Sequence, residues 1–250
     1  ASLFFNILIL IECVVGIGKT YLAKTLSKIF ETQLIRLQCH EGIDEDKALY
    51  EWNYKKQLIS IQTEKDSKNL FTEEFLIERP ILQALRTENK SIFLVDEIDR
   101  SDEEFEALLL EVLAENQVSI PELGTINSKN ENLTVLTSNA TRELSEALRR
   151  RCLYFYLDYP SVDIETKVIL SNVENIDEEK ARKFSIFSNF VRSLGLNKPP
   201  SLIESVEWVK YNHVKNEDSL DSNIGILIKD IEDQKVYLEK IKEDNANKNQ

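Results

Sequence analysis

Gly16-Ile17-Gly18-Lys19-Thr20 stands between an apolar run and an amphipathic stretch. Residues of these types at this spacing bind phosphate. Successive backbone N–H groups and the positive end of the following helix converge on phosphate oxygens. The lysine ammonium reaches the β- and γ-phosphates, and the threonine hydroxyl holds Mg2+. The full signature, G-x-x-x-x-G-K-[ST], places its first glycine where this chain has Cys13. The loop therefore comprises Cys13, Val14, Val15, Gly16, Ile17, Gly18, Lys19 and Thr20, with Tyr21 following. A Cβ at Cys13 costs about 1–2 kcal/mol if that position needs a positive φ. Only six glycines occur in the chain and two fall in this loop, so chance explains the match poorly. The plain alternative is a glycine turn that joins strand to helix and holds no ligand.

Two further strand ends carry suitable groups. The run Ser91–Val95 ends in Asp96-Glu97, where one carboxylate can hold a magnesium shell and the next can polarise a water for attack on a γ-phosphate. The run Leu133–Leu136 ends in Thr137-Ser138-Asn139, whose amide can orient that water. Arg149, Arg150 and Arg151 then close a helix, where cations suit the macrodipole. Their sharper reading is a trans-acting arginine that neutralises transition-state charge on a neighbouring subunit, which demands an oligomer. Asp99, Arg100 and Asp102 read as solvated or structural. Cys13, Cys39, Cys152, His40 and His213 show no metal-ligand spacing.

Hydrophobic periodicity supplies the elements that must position these groups. Apolar runs at Ile7–Ile11, Leu34–Leu37, Ile92–Val95, Leu133–Leu136 and Leu153–Leu157 predict five strands that alternate with helices, hence a mostly parallel sheet covered on both faces. Leu22, Leu26, Ile29 and Phe30 give the first helix its buried stripe. Ser101-x-x-Glu104 reads as a capping box for a second helix with Phe105, Leu108, Leu109, Val112 and Leu113 inward. The segment Gln117–Thr137, punctuated by Pro121 and Gly124, predicts a hairpin-like excursion. After Pro160 helical signals take over, at Ile164–Val173, Glu179–Leu194 and Pro200–Val209. The expected organisation is a core over 1–160, a smaller helical domain over 161–241 and a disordered tail over 242–250. Tyr50, Trp52 and Tyr54 read as helical aromatics packed in the core or against another subunit, with a client-contacting loop as the alternative.

Composition narrows the function classes. The 250-residue chain has 44 acidic and 31 basic residues and a net charge of −13, which repels a phosphate backbone and argues against a general nucleic-acid binder. Three scattered cysteines fit a reduced, cytoplasmic compartment. The opening apolar run lacks a basic segment, carries Asn6 and Glu12, and reads as a buried strand rather than a signal or membrane anchor. The chain holds no methionine, so its start reads as processed or shortened.

The glycine loop, "FLVDEIDR", "TSN" and "ALRRRC", in that order, resemble the AAA+ ATPases. The segments "LIRLQCHEGIDEDKALYEWNY", "ERPILQALR" and "TRELSEALRRRCLYFYLDYP" look like the MoxR group, nearest to the branch associated with carbon monoxide dehydrogenase maturation. That resemblance implies an α/β fold, a P-loop αβα sandwich with a five-stranded parallel sheet followed by a smaller helical lid. It also implies a homo-oligomeric ring, expected to be hexameric, that hydrolyses ATP with Mg2+. The ring would remodel a client metalloenzyme together with a von Willebrand factor A domain protein. By this resemblance Lys19 and Thr20 serve phosphate and magnesium, Asp96 the metal, Glu97 the water and Asn139 the sensor-1 role. Arg151 is the arginine-finger candidate, with Arg150 second. Family members carry Gly-Pro-Pro where this chain has Cys13-Val14-Val15, and no arginine near Pro199-Pro200-Ser201 matches the expected sensor-2 position. The competing expectation is a hydrolysis-deficient, nucleotide-binding assembly scaffold. A DNA-acting clamp-loader-like protein is a third, opposed by the charge.

Overall fold

Short apolar runs become strands here because each is bounded by turn residues and is long enough to cross one sheet. The computed structural model describes residues 7–13, 16–63, 69–130, 132–217 and 219–248. In chain order the first part holds β1 (Leu8–Cys13), α1 (Lys19–Ile29), β2 (Gln33–Gln38), α2 (Glu45–Ala48), β3 (Tyr50–Trp52), α3 (Tyr54–Thr63), β4 (Leu76–Glu78) and α4 (Pro80–Arg86). Next come β5 (Ser91–Asp96), α5 (Glu103–Glu115), β6 (Gln117–Ile120), β7 (Gly124–Asn127), β8 (Leu133–Ser138), α6 (Glu146–Arg151) and β9 (Leu153–Leu157). Five strands form one parallel sheet in the order β2-β5-β8-β1-β9. β6 and β7 make the expected hairpin.

Alternation along the strands divides the core into two layers. Leu10, Phe93, Val95 and Leu136 join one apolar cluster, whereas Ile11, Ile92, Leu94 and Val135 join another that includes Ala23 of α1. Every residue of β5 and β8 is buried, as parallel strands covered on both faces require. Edge strand β2 buries only Ile35 and Leu37, so Arg36 and Gln38 fall together on the α1 side of the sheet at its carboxyl end.

Contacts divide the chain into two units, Ala1–Cys13 with Lys19–Leu157, and Val14–Gly18 with Asp158–Gln250. The second unit contains α7 (Val162–Asn172), α8 (Glu178–Arg192), α9 (Leu202–Lys215), α10 (Ile224–Leu227) and α11 (Ile231–Lys248). Ser161, Asp177 and Ser201 cap three of these helices, each accepting a bond from a backbone amide in the first turn. Trp208 lies at the centre, 4.8 Å from the Phe184 ring and 5.4 Å from Phe187. A buried ion pair joins α8 to α7. Arg192 Nη1 lies 2.7 Å from Glu165 Oε2, Arg192 Nη2 lies 2.8 Å from Oε1, and Arg192 Nε donates to the Pro200 carbonyl.

Several local expectations change. Tyr50 and Trp52 lie in a strand, not a helix, because β3 pairs antiparallel with β4 and turns Trp52 inward against Phe71, 5.3 Å between rings. Tyr54 opens α3 and is exposed. The α5 cap is Asp102, whose carboxylate takes the Phe105 amide at 2.8 Å, while the Ser101 hydroxyl donates to the Ile98 carbonyl instead. Of the tail expected over 242–250, residues 242–248 continue α11, and 249–250 lie outside the described residues. Among the described residues no helix is long and apolar enough to cross a membrane.

Candidate nucleotide site

Lys19 is the first residue of α1, six residues past the end of β1, and its side chain is buried. The ammonium donates to Asn139 Oδ1 at 2.5 Å and to the Cys13 carbonyl at 3.4 Å. Asn139 follows β8 and Asp96 closes β5, so groups from the carboxyl ends of β1, β5 and β8 meet at one edge of the sheet. Ligands of open parallel sheets bind at such an edge.

Asp96 is almost wholly buried, and both its oxygens are engaged. Thr137 donates its hydroxyl to Oδ1 at 2.5 Å, and Arg36 donates Nη2 and Nε to Oδ2 at 2.7 and 3.2 Å. The same Thr137 oxygen accepts the Glu97 amide at 3.0 Å, which ties the two acidic residues to one side chain. Glu97 takes a left-handed backbone, φ 58°, and so does Ala140, φ 56°. Each costs about 1–2 kcal/mol in a residue with a Cβ, and such strain persists where the surroundings over-determine it. The Glu97 carboxylate accepts from Gln38 Nε2 at 3.0 Å and pairs with Arg100 Nε at 3.0 Å.

Asp99 is a buried carboxylate that grips the segment after β8. It accepts the Asn139 amide at 3.1 Å, the Thr141 amide at 3.0 Å and the Thr141 hydroxyl at 2.5 Å. Burial opposes its ionisation, but these bonds outweigh burial and hold the carboxyl below the usual carboxylate range. The three acids act on Cys39 as well. Burial, then the charges of Asp96, Asp99 and Glu97, push that thiol up to about 12. Burial also raises the Cys13 thiol, against the pull of Lys19.

Of the expected loop residues, Cys13 closes β1 in extended backbone, so the strain anticipated for its Cβ does not arise. Val14 and Val15 lie outside the described residues. Gly16 and Gly18 take φ +80° and +98°, conformations that require glycine. Within the second unit Gly16 abuts Ser201 so closely that an added Cβ would lie 2.3 Å from the serine Cβ. Ile17 is half-buried, Thr20 occupies the second position of α1 and Tyr21 is exposed. Arg150 and Arg151 end α6 on the surface. Arg150 pairs with Glu146 at 2.5 Å, and Arg151 Nη1 reaches the Leu110 carbonyl at 3.5 Å. Arg149 instead turns toward Glu12, 3.8 Å away, over the Tyr154 ring.

The model of the AAA domain, dynein-related subfamily, matches residues 9–152, more than half of the chain. The chain belongs to this AAA family. The matched span runs from β1 to the end of α6 and contains Lys19, Asp96, Glu97, Asn139 and all three arginines. An uncharacterized protein of Staphylococcus aureus strain NCTC 8325 is 24% identical over 192 residues, 74% of this chain and 68% of the relative. Another, from strain USA300, is 26% identical over 167 residues, 64% of this chain and 59% of the relative. A mutant RuvB of Thermotoga maritima superposes over 89% of this chain with a TM-score of 0.50 and 18% identity, a likeness of fold. This AAA chain spans 61% of that RuvB chain.

Arg36 and Gln38 escaped the sequence reading, and Asp99 takes the structural one of its two expected roles. The available signal was the polar alternation of Arg36 and Gln38 at the carboxyl end of β2, beside the strand that carries Asp96.

Proposed function

We propose that this AAA protein binds Mg-ATP and hydrolyses it, as a MoxR-type remodelling ATPase that works as a ring. One observation carries the reading: Lys19 Nζ lies 2.5 Å from Asn139 Oδ1, at the same carboxyl edge of the sheet that carries Asp96 and Glu97. In this arrangement the lysine exchanges Asn139 for phosphate oxygens, which frees the amide to orient a water. Glu97 takes the proton of that water as it attacks. Arg151, or Arg150, reaches the nucleotide of a neighbouring subunit and neutralises charge that develops on the phosphoryl group.

A hydroxyl and a carboxylate are hard oxygen donors that suit Mg2+, and Thr20 and Asp96 are the residues that would hold it. Bound there, the ion would supply positive charge to offset that of the phosphates. An exposed apolar edge supports assembly: Leu153, Tyr154, Phe155 and Tyr156 of β9 are all exposed immediately after the arginines. The sequence resemblance supports a client metalloenzyme and a von Willebrand factor A domain partner. Three cysteines without a disulfide support a cytoplasmic setting.

A second reading rests on the held state of the acids. Both Asp96 oxygens are engaged and Glu97 is paired, which favours a scaffold that binds nucleotide without turnover. Equilibrium binding of Mg-ATP together with the rate of phosphate release, with Lys19→Ala as control, separates the two. Binding with turnover supports the ATPase, binding alone supports the scaffold, and the absence of binding in folded protein contradicts both.

A further inference from the structure

A buried carboxylate needs a compensating charge, and in this chain Asp96 has one of its own. Arg36 lies diagonally across from it: Gln38 is the β2 residue in register with Asp96, and Arg36 stands two residues earlier on the same face. Both guanidinium donors converge on a single oxygen, Oδ2, while Oδ1 is taken by the Thr137 hydroxyl. The arginine side chain is 45% exposed, against 4% for the aspartate, so the cation can swing into water and the carboxylate cannot. Its Nη2 also bonds the Gln38 amide oxygen, and Gln38 holds Glu97 through the amide nitrogen. Two other cations at this edge have partners elsewhere: Lys19 bonds Asn139 and the Cys13 carbonyl, and Arg100 pairs with Glu97.

We propose that Arg36 is the resident counter-ion of Asp96, that it competes with a divalent cation for Oδ2, and that it thereby sets the Mg2+ concentration at which the nucleotide site loads. This rests on the reading of the loop as a Mg-nucleotide site. Two cations at one carboxylate oxygen repel each other, so Arg36 must release Oδ2 before that oxygen serves a metal. Release also frees Gln38 from the guanidinium, which links the state of Asp96 to the hold on Glu97. Lysine cannot reproduce the two-donor grip, because its ammonium is a single point of charge on a flexible stem.

The test is Mg2+ titration of the binding of a fluorescent ATP analogue to the full chain, for wild type, Arg36→Gln, Arg36→Lys and Lys19→Ala. Melting temperatures are recorded with and without Mg-nucleotide. The expected result is a fall of about tenfold in half-saturating Mg2+ for Arg36→Gln and a smaller fall for Arg36→Lys. Arg36→Gln also melts lower than wild type without ligand, and the gap narrows with Mg-nucleotide. Unchanged or increased half-saturating Mg2+ in Arg36→Gln overturns the proposal. If that variant does not fold, Arg36→Lys decides by the same criterion. A wild type that binds no analogue at any Mg2+ concentration, as Lys19→Ala is expected to do, refutes the nucleotide reading itself, and the proposal falls with it.

Discussion

Replacing Thr137 with valine tests how the two acids are held. The substitution keeps the volume and branching of a wholly buried side chain and removes one oxygen. That oxygen donates to Asp96 at 2.5 Å and accepts the Glu97 amide at 3.0 Å. The first bond is charge-assisted and contributes about 1.5–3 kcal/mol, the second about 0.5–1.5 kcal/mol. Both partners stay in place and lose a bond, so the expected cost is about 2–4 kcal/mol. The assay exploits the two tryptophans, one in each unit: Trp52 belongs to the sheet unit and Trp208 to the helical unit. In a Trp208→Phe background, urea unfolding followed by Trp52 fluorescence should shift to a lower midpoint by about 1–2 M, taking an m-value of about 2 kcal/mol/M. Thr137→Ser keeps the hydroxyl and should lose far less. A valine variant that unfolds within about 0.3 M of wild type would refute the claim that this hydroxyl ties the acids together.

Asp99→Asn should destabilise the sheet unit by about 1–2 kcal/mol at pH 7, because three donors then face a neutral acceptor. The folded carboxyl is held low, so its contribution is complete above about pH 4 and disappears as pH falls through the folded value. Urea midpoints of wild type and variant should therefore converge in acid, and a gap that stays constant contradicts this. Arg192→Met leaves Glu165 buried without its partner and should cost about 3–5 kcal/mol, read from the Trp208 transition. Gly16→Ala meets both a positive φ and the Ser201 side chain, so it should weaken binding of an ATP analogue at least tenfold, measured by fluorescence titration. With Cys39 pushed up to about 12 and Cys152 to about 11, thiol labelling at pH 8 should be slow in the folded protein and fast in urea.

The sheet was legible because its central strands β5 and β8 are buried on both faces and every strand carries an apolar run that stands out against polar turns. The glycine loop and the acids at the end of β5 stood out because each motif is contiguous in the chain. Arg36 did not, because an exposed polar residue on an edge strand looks like any other solvent-facing position. What gives it meaning is pairing with Asp96, 60 residues away, and no local period reports that. Asp99 read as solvated or structural, and the structure takes the second: the short helical turn Ile98–Arg100 turns it inward to the segment after β8, a partner that no local pattern names. The β3 strand read as helix because three residues are too few to show alternation, and only the β4 partner fixes it.

The most direct test of the account is the rate of Mg-ATP hydrolysis across a protein dilution series, for wild type, Lys19→Ala and Glu97→Gln. The account predicts turnover that falls on dilution, as the proposed trans-acting arginine requires. It also predicts that Lys19→Ala neither binds nor hydrolyses, and that Glu97→Gln binds without turnover. Folded wild-type protein that fails to bind Mg-ATP, or hydrolysis that survives Lys19→Ala, would contradict it.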